Sequence, residues 1–242
     1  MAFFKNFNTV DYFFGNEKTS DKFQNISLYA DVIDQVKNDI TLYQDYHVLP
    51  GERPDQVSMK LYDRPDFYWT FFLVNDELRE FGWPLSNQEA FELAKKRYHN
   101  TVITTRTVLT DKFKPEQTIT GATSGASATI DHRELDLGQL YLRNQTGTFS
   151  SGEQVTSTNG DGGVETITIN AVSPQYNAAR HYINASKELV DIDPTAGPGA
   201  QITEVTWADH LIEHNESLQG IRIIQPQQIN TVVDSFKRAI KL

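Results

Sequence analysis

The stretch Pro50–Asp76, PGERPDQVSMKLYDRPDFYWTFFLVND, decides how this chain is read. Pro54 and Pro65 each suit a first helical position, where the missing N–H would have no partner anyway. Two short helices are therefore predicted. In the first, Val57 and Leu61 lie one helical turn apart, with Tyr62 beside them. In the second, every residue from Phe67 to Val74 except Thr70 is apolar or aromatic. A helix without a polar face has to be covered on all sides. A module of roughly fifty residues buries only about 60% of the surface its unfolded chain exposes. Tyr68, Trp69, Phe71 and Phe72 therefore exceed what one small core takes. Either the rest of the chain covers them or another protein does.

Outward from this stretch, Ser27 is placed to cap a helix whose face is Tyr29, Val32, Ile33, Val36 and Ile40. Gln44 to Leu49 reads as a short strand ended by Pro50 and Gly51. Trp83 to Ser86 turns the chain, and Asn87 to Tyr98 reads as a helix. Near Pro115 the composition changes to Gly, Thr, Ser, Asn and Val. TGATSGASATI, LGQLYLRNQTGTFSSGEQV and GGVETITINAV are short alternating runs separated by glycine turns, the pattern of a small antiparallel β module. Leu140, Leu142, Phe149, Val164, Ile167 and Ile169 are expected on its inner face, and Asn159 to Gly163 is a hairpin signal. This module reads as an insertion into a mainly helical chain. After the loop VDIDPTAGPGAQ, Thr206 and Asp209 form a capping box for a helix from Trp207 to Leu218, stopped by Gly220. Ile221 to Ile224 is a brief strand. Pro226 leads a last helix with Ile229, Val232, Val233, Phe236 and Ile240 on one side. The expected domains are an arm over 1–42, a core with its following helix over 43–114, the inserted module over 115–175, and a C-terminal segment over 176–242.

The 242 residues are 38% hydrophobic and 11% aromatic, enough for a real core. A formal charge of −10 argues against gripping a phosphate backbone or docking on an anionic membrane. With no cysteine, disulfides and thiolate metal sites are excluded. The opening MAFFKNFNTVDYFFGNEK has no uninterrupted apolar run and no small-residue cleavage site, so secretion is not expected. The sequons at Asn25, Asn144, Asn184 and Asn215 are then read as chance. No apolar run approaches the roughly 18 residues of a membrane helix.

Signatures of catalysis mostly fail. The glycine-rich TGATSGASAT lacks the lysine of a phosphate-binding loop, and neither G-x-S-x-G nor G-x-G-x-x-G occurs. His210, Glu213 and His214 fit H-x-x-E-H, the inverted zinc-peptidase pattern, in which two imidazoles bind the metal and the glutamate activates a water. A catalytic site needs a third protein ligand on another element. After His214 the only acidic residues are Glu216, on the same helix turn, and Asp234, on the tail helix. The plain reading is a polar helix surface. Asp191 and Asp193 are neighbours in a Pro/Gly loop, not carboxyls facing each other across a cleft. The segment around Asp161 lacks calcium-loop spacing, and His47, His99, His132 and His181 are scattered. No enzyme, metal or cofactor is expected.

Tyr46, Val48, Gly51, Glu52, Val57, Leu61, Tyr62, Trp69, Leu73 and Asn75 resemble a LysM module. The resemblance implies a β-α-α-β fold across Gln44 to Leu85. The longer string, with GWPLS at 82–86, VDIDP at 190–194 and IRIIQP at 221–226, resembles the LysM-like baseplate wedge subunit of contractile-tailed bacteriophages. That resemblance covers roughly Tyr12 to Asn100 and Tyr176 to Leu242, and Thr118 to Val172 departs from it. It implies an α+β chain with a LysM-like β-α-α-β core, helical N- and C-terminal arms and the inserted small antiparallel β module. It also implies a structural role: binding other wedge proteins and neighbouring wedges, in six copies, around the tail hub. The chain would be made in the host cytoplasm and located in the virion, with no nucleic-acid or membrane partner. Tyr62, Tyr68, Trp69, Phe71, Phe72, Trp83 and Phe236 are the expected interface. The alternative is a glycan-binding LysM module for peptidoglycan. A zinc hydrolase built on His210, Glu213 and His214 is the third reading.

Overall fold

The structure, a computed structural model, describes residues 7–15, 18–25 and 43–239. It mixes helices with several antiparallel sheets. The helix expected from Ser27 to Ile40, and Ile240 on the tail helix, lie outside the described residues. The chain divides into two units, Met1–Ser86 with Asn215–Leu242, and Asn87–His214.

In the first unit, strand Tyr43–His47 pairs antiparallel with Gly220–Ile224, Tyr46 standing opposite Ile221 and Gln44 opposite Ile223. Between these strands in the sequence come helix Pro54–Tyr62, a 3-10 turn Pro65–Phe67, and helices Trp69–Val74 and Asp76–Phe81. Both proline-opened segments start the same way. Arg53 forks onto Asp55 and Arg64 onto Asp66, each through two hydrogen bonds across the intervening proline. The first helix ends at Asp63, whose φ of 54° is left-handed and whose N–H donates to Met59 O at 3.0 Å.

Two expectations change here. The second helix is not one rod. It opens as the 3-10 turn and continues as a six-residue helix, with Thr70 Oγ1 donating to Phe67 O at the joint. The strand that closes the β-α-α-β order does not lie within Gln44 to Leu85. Asp76 to Phe81 is helical, as its straight-chain, charged composition favours. The β-branched run Ile221, Ile223 and Ile224 supplies the strand instead, from the far end of the sequence. Its inner side chains join Val57, Phe71, Leu73 and the tail helix Ile229–Ala239 in one core. Ile229, Val232, Val233 and Phe236 are buried, as the helical period predicts.

The second unit begins with helix Asn87–Arg97. Its main sheet has seven strands, in spatial order Ala171–Pro174, Thr101–Thr104, Gln139–Thr146, Ser127–Glu134, Thr118–Gly121, Gln154–Thr158 and Val164–Thr168. The two edge strands are separated in sequence only by Ile169 and Asn170. Laid flat, seven strands would put the edges about 29 Å apart, whereas the connector reaches about 10 Å. The sheet therefore curls round on itself. Ile169 exchanges backbone hydrogen bonds with Gly152 and Glu153 on one side, and Asn170 N–H donates to Thr104 O on the other. Ile103, Ile119, Ile130, Leu140, Leu142 and Val155 fill the inside, with Phe113 and Phe149.

The sheet extends beyond the 115–175 stretch, because Thr101–Thr104, also β-branched, pairs with both Gln139–Thr146 and Ala171–Pro174. Val164 departs from its expected inward place and is 72% exposed. Its parity is opposite to that of Ile167 and Ile169, which are buried, so it points out of the pleat. The Asn159–Gly163 hairpin forms, with Asn159 Oδ1 accepting from the N–H groups of Asp161 and Gly163.

Glu153 is 6% exposed and fixes a loop of this unit. Its carboxylate accepts from the N–H groups of Ser150, Ser124 and Thr123 and from Ser124 Oγ. Burial alone raises its pKa, but these donors outweigh burial and hold the carboxyl below its usual range. Gly121 lies against the same carboxylate, and a Cβ there would collide with Ser124 Oγ and Glu153. A smaller sheet joins Leu189–Val190, Ala179–Ile183 and Thr203–Thr206. Helix Trp207–Ser217 follows, and its capping box is present: Thr206 N–H donates to Asp209, and Asp209 N–H to Thr206 Oγ1.

Candidate protein-interaction surface

The seven aromatic residues singled out in the sequence divide into two groups. Tyr62, Phe71 and Phe236 are core residues of the first unit, with Phe71 fully buried and Phe236 1% exposed. The chain covers them itself. Phe71 stacks on Tyr62 at 6.0 Å, and Tyr62 OH donates to Ile224 O at 2.9 Å, tying the first helix to the closing strand. Burial pushes the Tyr62 phenol well above its ordinary pKa. Tyr68, Trp69, Phe72 and Trp83 are half-buried on the same core and keep part of each ring at the surface. Trp69 lies 4.7 Å from the Phe236 ring, and Trp83 donates through Nε1 to Glu52 O at 2.6 Å. These four are thus held by the fold and accessible at once.

Asn75 sets the position of this group. Its side-chain amide donates to Arg222 O and accepts from Arg222 N–H, at 2.8 and 2.9 Å, as a neighbouring strand would. The same amide donates to Phe71 O, and so fastens the aromatic helix to the closing strand.

A second apolar face was missed in the sequence. Thr9–Tyr12 pairs with Asp21–Gln24 as a hairpin, with Val10 opposite Phe23 and Asp11 opposite Lys22. Alternation places Val10, Tyr12 and Phe23 on one face, with Asp21 at its end, and Thr9, Asp11, Lys22 and Gln24 on the other. The Tyr12, Phe14 and Phe23 rings meet edge-on, with centroids 5.0 to 6.1 Å apart, yet each stays about half exposed. Two-stranded hairpins are marginal in water. The signal was the alternation of Val10, Asp11 and Tyr12, with Phe23 alone on the facing strand, hidden by the aromatic richness around it.

The remaining candidates belong to the second unit. His210 faces His181, ring centroids 6.2 Å apart, and both imidazole pKa values are lowered, by burial first and then by Arg180. Among the described residues no group of three or more His, Asp or Glu is placed to hold a metal ion. Asp193 accepts from Thr195 N–H and Oγ1, closing its own turn. Among the described residues no helix is long and apolar enough to cross a membrane.

No curated protein matches the chain. Residues 2–109, which include the hairpin and the aromatic helix, match the family model of base plate wedge protein 53, and that match supports a phage baseplate wedge subunit.

Proposed function

We propose that this chain is a structural, non-enzymatic subunit of a phage tail baseplate, which binds other wedge proteins and helps join neighbouring wedges into a six-fold ring around the tail hub. The observation that carries this reading is the family match over residues 2–109. The antiparallel pair Tyr43–His47 and Gly220–Ile224, with the helices from Pro54 to Phe81 between them in the first unit, supports a LysM-like core. Tyr68, Trp69, Phe72 and Trp83, with the apolar face of the hairpin, supply the contact surface. Partly buried aromatic residues held by a rigid core are the usual anchors of a protein interface. The hairpin rings lie at 71° to 86° to one another, so they form no flat platform on which a sugar ring stacks.

The test is sedimentation of the purified chain with baseplate wedges of the same phage assembled without it. Co-migration at micromolar concentration is expected. Its absence, with both components folded, would remove the proposal.

A further inference from the structure

The two crossings between the units converge on one point. Leu85 and Asn215 both belong to the first unit, although 129 residues lie between them in the sequence. Asn215 is 5% exposed, and its side chain brackets the Leu85 peptide. Leu85 N–H donates to Asn215 Oδ1 at 2.7 Å, and Asn215 Nδ2 donates to Leu85 O at 2.8 Å. A buried amide that satisfies both backbone groups of one residue holds the departing and returning chain together. Pro84 beside it is buried. Each unit also closes its own core. In the first, Phe71, Leu73, Ile221, Ile223 and Phe236 pack together. In the second, the curled sheet has its own filling.

We infer that residues 87–214 are a separable insertion, and that contact with the wedge proteins belongs to the unit made of residues 1–86 and 215–242. The inference rests on the baseplate reading for its second half only. The first half follows from the Asn215 clasp. The Asn215 side chain holds Leu85, one residue before the cut, so a link of two or three residues, at roughly 3.5 Å each, closes the gap the insertion leaves, with Asn215 to Ser217 kept from the last turn of helix Trp207–Ser217. The second half follows from where the half-buried aromatic residues and the exposed hairpin rings lie. Tyr68, Trp69, Phe72, Trp83 and the hairpin face are all in the first unit.

The experiment is a deletion of residues 87–214, with Ser86 joined to Asn215 by Gly-Ser or by Gly-Ser-Gly. The deletion and the full chain are each sedimented with wedges lacking this protein. The deletion is expected to unfold cooperatively, with Trp69 and Trp83 fluorescence shifting together. It is expected to co-sediment with an affinity within about threefold of the full chain. If neither linker gives a folded protein, the inference is overturned. If the deletion folds but fails to co-sediment while the full chain does, the assignment of the contact is overturned and the baseplate reading stands. If the full chain also fails, the baseplate reading and the assigned contact both fall, and the folding of the deletion still decides whether the insertion is separable.

Discussion

Asn75 and Glu153 each use one polar side chain to join segments distant in sequence. Asn75 meets Arg222 through both backbone groups, and this pairing, not a longer sheet, satisfies that edge of the closing strand. Replacing Asn75 by Ala is expected to cost about 0.5–1.5 kcal/mol, because Arg222 N–H and O lie at the surface and exchange the amide for water. Urea unfolding followed at Trp69 and Trp83 measures it. Glu153 gives a prediction with a sign. Its pKa is lowered in the folded state, so its stabilisation is fully present above the ordinary glutamate pKa and is lost as pH falls through the lowered value. Glu153→Gln keeps the size but turns a donor group towards the N–H groups of Thr123, Ser124 and Ser150. At neutral pH the variant is expected to be about 1–3 kcal/mol less stable. The difference should shrink in acid, where the native carboxyl is protonated too. A constant difference from pH 7 to pH 2 would contradict this account.

At the scale of elements, the hairpin and the aromatic helix differ in what holds them. Phe71 and Leu73 are fixed by burial within the first unit. The hairpin's rings touch one another and remain half exposed, so under the proposed function their removal is expected to affect folding little and binding much. Tyr12→Ser with Phe23→Ser is expected to shift the unfolding free energy of the chain by no more than about 1 kcal/mol. Co-sedimentation with wedges should weaken at least tenfold. A large loss of stability with unchanged binding would assign the hairpin to the core instead. The sequence displayed both elements unequally. Pro54 and Pro65 announced the helix starts through their missing N–H groups, and they appear where expected. The hairpin's alternation spans only four residues per strand, too short to stand out from its aromatic surroundings.

At the scale of the whole molecule, the stretch that matches the family model cannot complete its own core. Leu218, Ile221, Ile223, Ile224, Ile229, Val232, Val233 and Phe236 all lie beyond residue 109 and pack on Val57, Phe71 and Leu73. Full burial of each such side chain contributes about 1.5–3 kcal/mol, and a domain's net stability is only about 5–15 kcal/mol. A fragment of residues 1–109 is therefore expected to be unfolded or aggregated. Joining residues 1–86 to 215–242 through a short linker in place of the insertion 87–214 should instead give a folded unit, as far-ultraviolet circular dichroism would record.

The sequence by itself determined the local elements: the proline-opened helices, the capping box at Thr206, the Asn159–Gly163 hairpin and the buried face of the tail helix. Each depends on neighbours within a few residues, through dihedral preference, capping or apolar period. Only the tertiary structure decided which strand closes the small sheet, that the large sheet recruits Thr101–Thr104, and which aromatic rings the chain covers itself. Those outcomes depend on pairing between segments far apart in the chain. Many β-branched strands compete for such pairing, and the winner is set by which arrangement fills a core and satisfies its backbone groups together.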